Sequence, residues 1–219
     1  MTERAQSANE EIANSVSHGL MLLAALIAAP FLFVVRSGQE LRVMEIIGYS
    51  VFAATMVLLY LTSTVYHALP DGSSKRMFLR FDLAAIYLFI AGSYTPFALG
   101  AMSAVEGSAD LWAWARLGGV WAVAFAGASL KAFDRLSHPL VSTGLYLAMG
   151  WIVLIAALPL IERVPAASIF WLVAGGIAYS VGVIFFVLDS RLRFAHAVWH
   201  GFVATGTGCH FVAVMNYAA

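Results

Sequence analysis

Seven times along this chain a run of about 20 residues passes with at most one Asp, Glu, Lys or Arg, each run bounded by a short charged, proline-bearing or glycine-bearing break. A helix rising 1.5 Å per residue needs about 20 residues to cross about 30 Å of hydrocarbon. The runs cover 18–35, 43–68, 81–101, 111–130, 139–161, 167–188 and 195–217. The fourth contains Arg116, and the second is long enough to tilt or protrude. No linker has room for a soluble domain. The expectation is therefore an all-α integral membrane bundle of seven transmembrane helices, one domain over residues 1–219, with residues 1–17 as a short cytoplasmic tail. That tail carries three glutamates and one arginine, the wrong charge for a secretory signal, so the first run is expected to be retained.

Composition narrows the function classes. Hydrophobic residues make up 62% of the chain and charged residues 11%, against about a quarter charged in soluble domains. Twelve basic and twelve acidic residues cancel, leaving no field of the kind that neutralises phosphates, and nucleic-acid binding is set aside. The one cysteine, Cys209, cannot form an intrachain disulfide. Recurrent glycines within the runs, among them Gly144, Gly150, Gly175, Gly176, Gly182, Gly201, Gly206 and Gly208, read as helix-packing positions and not as phosphate loops.

Lys and Arg in the breaks set the orientation. Eight (Arg4, Lys75, Arg76, Arg80, Lys131, Arg135, Arg191, Arg193) fall on the side of the N-terminus and four (Arg36, Arg42, Arg116, Arg163) on the other. This predicts a cytoplasmic N-terminus and a C-terminus outside.

Ionisable groups at bilayer depth are costly and mark sites. With the orientation fixed, His67 ends the second run, while His196 and His200 occupy the first two turns of the seventh. All three lie within a turn or two of the cytoplasmic interface, and Asp82 at the start of the third run shares their level. Residues four apart share a helix face, so His196 and His200 are able to point at one ion, and Ser63 shares a face with His67. Three imidazoles are the protein's contribution to one type of catalytic zinc site, which keeps a position for water. Asp82 then holds that water, acts as general base or orients a histidine; its rival roles are an ion pair with Arg80 or a cap on the third helix. Ser63 bonds Asp82, a substrate carbonyl or its own i−4 carbonyl. His210 and Cys209 lie about 15 Å further along the helix and are excluded from the same ion, and His138 reads as a solvated loop residue. His18 is within reach as a neighbour, with Glu11 and Asn14 or Ser15 on its stripe. Tyr66, Tyr87, Phe89 and Trp199 are aromatics available to wall a lipid cavity, though packing explains them as well.

The ordered set Glu10-Glu-x-x-Asn14-x-x-Ser17-His18, Ser63-x-x-x-His67, Arg80-Phe-Asp82, Gly92-Ser-Tyr-Thr-Pro-Phe97 and His196-Ala-Val-Trp-His200 resembles the haemolysin III family over nearly the whole chain. That family is grouped with the progestin and adipoQ receptors and is more distantly similar to the alkaline ceramidases. The resemblance implies a seven-helix bundle, in a bacterial inner membrane, with zinc on His67, His196 and His200 and with Asp82 and Ser63 in the same polar site. From the receptor and ceramidase relatives it implies hydrolysis of a lipid amide; from the bacterial branch, named for red-cell lysis, it implies membrane permeabilisation.

Three functions follow as expectations. The first is a zinc-dependent hydrolase of a lipid amide or ester near the cytoplasmic leaflet, with catalytic Asp82 and Ser63 and a membrane lipid as substrate. The second is a haemolysin-like channel with structural zinc. A pore requires polar positions through the whole membrane depth, whereas the polar cluster here is confined to one side. The third is a receptor-like sensor.

Overall fold

Backbone N–H and C=O groups placed in hydrocarbon find no water, so an apolar run must bond them within itself, and the helix does this residue by residue. The computed structural model describes residues 4–34, 41–103, 111–136, 138–156 and 164–218, and among these no strand occurs. Eight helices follow one another: α1 (Ala8–Ala28), the single turn α2 (Phe31–Val34), α3 (Val43–Ala68), α4 (Ser73–Ser103), α5 (Leu111–Ala132), α6 (Pro139–Ala156), α7 (Ala166–Val187) and α8 (Ala195–Ala218). Val35, Arg36, Ser137, the end of the fifth run at Ile161 and Arg163 lie outside the described residues. Segments Ala8–Val34, Val43–Ala68, Ser73–Met102 and Ala166–Val187 are long and apolar enough to cross a membrane, which supports a multi-pass membrane protein. Helix α8 misses that standard, diluted by His196, His200, Thr205, Thr207 and His210.

Two helix starts differ from the expectation. The expected tail is already helical from Ala8, because the Glu10 carboxylate accepts the Ser7 backbone N–H (2.9 Å) and hydroxyl (2.8 Å) and so caps the first turn. Likewise α4 begins at Ser73, eight residues before the apolar run, since Ser73 to Arg80 contains no residue that breaks a helix. The other ends fall where the chemistry puts them. Pro30 interrupts the first run between α1 and α2, and Leu69 turns extended ahead of Pro70 to end α3.

Helix α4 is the hub, touching α3, α5, α6 and α8, and α1 closes the bundle by packing on both α3 and α8. Small residues set the closest approaches. A Cβ at Gly48 of α3 would stand 2.9 Å from the Cα of Pro96 in α4, and one at Gly92 would strike Thr55. The α7–α8 seam works the same way: a Cβ at Gly182 would come within 2.6 Å of Phe202, and one at Gly206 within 2.6 Å of Tyr179. By contrast Gly144, Gly150, Gly201 and Gly208 face open space, and Gly176 makes only ordinary contacts, so the packing role expected of all eight belongs to Gly175, Gly182 and Gly206. Between α4, α6, α7 and α8 this leaves a cavity of about 1110 Å³.

Candidate metal centre

Helices α3 and α8 bring together the three histidines expected to share an ion. One ring nitrogen from each of His67, His196 and His200 lies within 4.8 Å of the others. The ring centroids are 5.0 Å apart for His67 and His196, 5.1 Å for His67 and His200, and 4.7 Å for His196 and His200. His67 and His200 are buried, and His196 is partly exposed.

What each ring does with its other nitrogen is as informative as the cluster. His67 Nδ1 lies 2.7 Å from Glu11 Oε2, and His196 Nδ1 lies 3.0 Å from Asp189 Oδ2. Carboxylates accept, so both Nδ1 atoms carry the hydrogen and leave Nε2 with a free lone pair. His200 Nδ1 faces the Asn14 carbonyl at 3.2 Å and the Ser17 hydroxyl at 2.9 Å. A carbonyl accepts only, and Ser17 spends its own hydrogen on Asn14 O (2.8 Å), so His200 also has Nδ1–H and a free Nε2. Outer acceptors that fix the tautomer and orientation of ligand imidazoles are the usual surroundings of a histidine metal site. His67 Nε2 is moreover buried with no hydrogen-bond partner among the described residues, a costly arrangement in a packed site unless something accepts its lone pair. The donor set therefore fits a metal ion, and zinc among those that favour imidazole.

Asp82 and Ser63 border the same space. Both line the cavity with His18, His196 and His200, and the Asp82 carboxylate lies beside Ser63 and His196. The alternative roles for Asp82 are not what the structure shows: Arg80 pairs with Asp134 at 3.0 Å, and α4 starts nine residues before Asp82, so it caps nothing. Nor is Ser63 bonded back to its helix. Thr55, Thr62 and Thr64 of α3 all donate to their i−4 carbonyls, whereas Ser63 Oγ meets His18 Nδ1 at 2.7 Å. His18 stacks on His200 with centroids 3.4 Å apart and planes 12° apart, and its Nε2 is buried without a partner among the described residues.

The histidines expected to stay off the ion lie outside the cluster, although both border the cavity. His210 packs in the α7–α8 seam against Gly175 and Tyr179, and His138 is exposed in the turn before α6. Of the four aromatics, Tyr66, Phe89 and Trp199 line the cavity, while Tyr87 packs on Tyr146 and Gly127 instead. Three supporting contacts were not expected from the sequence: those of Asp189 with His196, Ser17 with His200 and Glu11 with His67. The one sequence signal among them is that Asp189 precedes His196 by seven residues; Glu11 and His67 lie 56 apart. Beyond the bilayer end of α1, Arg4 forms a two-pronged pair with Glu10 at 2.6 Å for each bond, and this holds the guanidinium pKa above its ordinary value.

The family model described as haemolysin-III related matches residues 6–211. The chain is 37% identical over 208 residues to the Hemolysin-3 homolog of Bacillus subtilis (strain 168), covering 95% of this chain and 94% of that protein. It is 36% identical over 217 residues to Hemolysin-3 of Bacillus cereus, covering 99% and 95%. It is 28% identical over 217 residues to the Monocyte to macrophage differentiation factor of Homo sapiens, covering 95% and 84%.

Proposed function

The chain belongs to the haemolysin-III-related family, and from that premise we propose that it is a seven-span protein of the cell membrane, N-terminus cytoplasmic, that hydrolyses an amide or ester bond of a membrane lipid at a zinc ion held by His67, His196 and His200. The observation that carries this reading is the agreement of three imidazoles. Each commits Nδ1–H to an acceptor and leaves a free Nε2, next to a large, mostly apolar cavity.

Bound there, zinc would supply a water of pKa about 7 and a Lewis acid for the carbonyl. The chain's own residues do the rest. Leu83, Ile86, Ile90, Leu172, Val183 and Val203 offer an acyl chain an apolar wall, and Asp82, Ser63 and His18 offer the polar head a hydrogen-bonding surface. Asp82 is placed to hold a proton taken from water and return it to the leaving group. Ser63 and His18 form a bonded pair that positions a substrate carbonyl. Four candidate spans and the excess of Lys and Arg on the side of these histidines support the site's place at the cytoplasmic leaflet.

The names of the two Bacillus relatives, Hemolysin-3 homolog and Hemolysin-3, favour a second reading, a permeabilising protein in which the histidine centre is structural. Purified zinc-loaded protein incubated with a panel of ceramides and phospholipids, beside a liposome-leakage assay, separates the two. The hydrolase reading expects product from at least one lipid and a loss of roughly 10²–10⁴-fold in rate for Asp82→Ala. No product from any lipid, with leakage indifferent to Asp82→Ala, would leave the permeabilising reading standing.

A further inference from the structure

Glu10 touches none of the three ligand imidazoles, yet it is 2% exposed and bonded on every side. Its Oε2 receives the Ser7 N–H and hydroxyl, which is local capping of α1. Its other oxygen does something a cap does not require: Oε1 accepts the backbone N–H of Phe194 at 2.9 Å, from a residue 184 positions away. Phe194 is the last residue before α8, has a left-handed backbone (φ 59°) and precedes His196 by two. Arg4, paired to both oxygens of Glu10, reaches the same segment from the other side, with Nη2 3.5 Å from the Asp189 carbonyl and 3.4 Å from the Leu192 carbonyl. Asp189 is the residue whose carboxylate holds His196.

We infer that the Arg4–Glu10 pair is a positioning clamp for His196: it fixes the 188–194 turn, and with it both the start of α8 and the Asp189 carboxylate that sets the imidazole's orientation. The physical case is geometric. His67 and His200 take their acceptors from α1 directly, through Glu11, Asn14 and Ser17. His196 takes its acceptor from the α7–α8 turn, and the part-buried Arg4–Glu10 pair ties that turn to the same helix. All three outer supports are thereby referred to the first turns of α1. A left-handed residue persists where surrounding bonds over-determine it, and Glu10 supplies the bond at Phe194.

The inference rests on the zinc reading of the preceding section, and the test distinguishes the two. Full-length protein in detergent is loaded with cobalt(II), whose visible absorption reports ligand geometry, and its zinc dissociation constant is measured against a chelator. A wild-type protein that gives neither a cobalt band nor zinc binding would sink the metal centre itself. Given a wild-type band, Glu10→Gln should weaken zinc binding by about tenfold and displace the cobalt band. Ser7→Ala removes the hydroxyl half of the local cap and keeps the backbone N–H on the same carboxylate; it should lower the melting temperature and leave both readouts unchanged. Arg4→Met, which keeps the Glu10 cap, should reproduce the Glu10→Gln shift in smaller measure and serves where Glu10→Gln does not fold. Wild-type affinity and band in the variants, or an equal shift from Ser7→Ala, would mean that Glu10 merely stabilises α1.

Discussion

A single lost acceptor should be felt by the ion before it is felt by the fold. Glu11→Ala leaves His67 Nδ1 without its carboxylate and Asp189→Ala does the same to His196, so each is expected to weaken zinc binding 10–100-fold by chelator competition. His67→Ala should abolish stoichiometric zinc. His210→Ala, far along the seam, should leave zinc content intact while lowering thermal stability, because the ring fills the space over Gly175. Acidification works in the same direction as ligand loss. A protonated imidazole has no lone pair, so zinc should be released on acidification and regained on return to neutrality, read as zinc content after dialysis. The cluster of three histidines was legible, because i, i+4 spacing and depth in a span are properties of one helix and the loop charges beside it. Their supports were not. Asp189 looks in sequence like any turn acid, and Glu11 like any first-turn carboxylate; only the docking of α1 against α3, and of the turn against α8, makes either a partner of histidine.

Helices α7 and α8 are held by absence of side chain at a few points. Gly182→Ala would drive a methyl within 2.6 Å of Phe202 and 2.8 Å of Trp199, an overpacking expected to cost about 1–3 kcal/mol in thermal or denaturant unfolding. Gly144→Ala meets nothing within 4 Å and should be neutral or stabilising by up to about 1 kcal/mol. Equal losses at the two positions would mean that the seam is looser than described. The same comparison explains where the sequence was readable for whole elements. Expected run 43–68 coincides with α3, because Pro70 and the charge at Arg42 mark its ends. The early starts of α1 and α4 were invisible to hydropathy, since both consist of polar turns that leave the membrane still helical. Those polar turns of α1 are the ones that carry Glu10, Glu11, Asn14 and Ser17, so a reading that ends helices where hydropathy ends also ends the site too soon.

Orientation is a property of the entire molecule, and it is testable on the entire molecule: a reporter fused after Ala219 should be active outside the cytoplasm, and cytoplasmic activity would reverse the side assigned to the histidines. The all-helical, membrane-embedded character was plain in the sequence because it is written in every run; which helix sits at the centre was not, since α4 is no more apolar than its neighbours and owes its place to the contacts it makes with four of them. One consequence of the site's layout concerns how the protein is made. His67 emerges early in synthesis, whereas His196 and His200 belong to the last helix, and that helix also docks on the first. A chain still on the ribosome thus has one of the three histidines and no closed bundle. On the proposed reading, capture of an ion follows insertion of α8, and occupancy would mark the finished membrane protein and separate it from nascent or truncated forms.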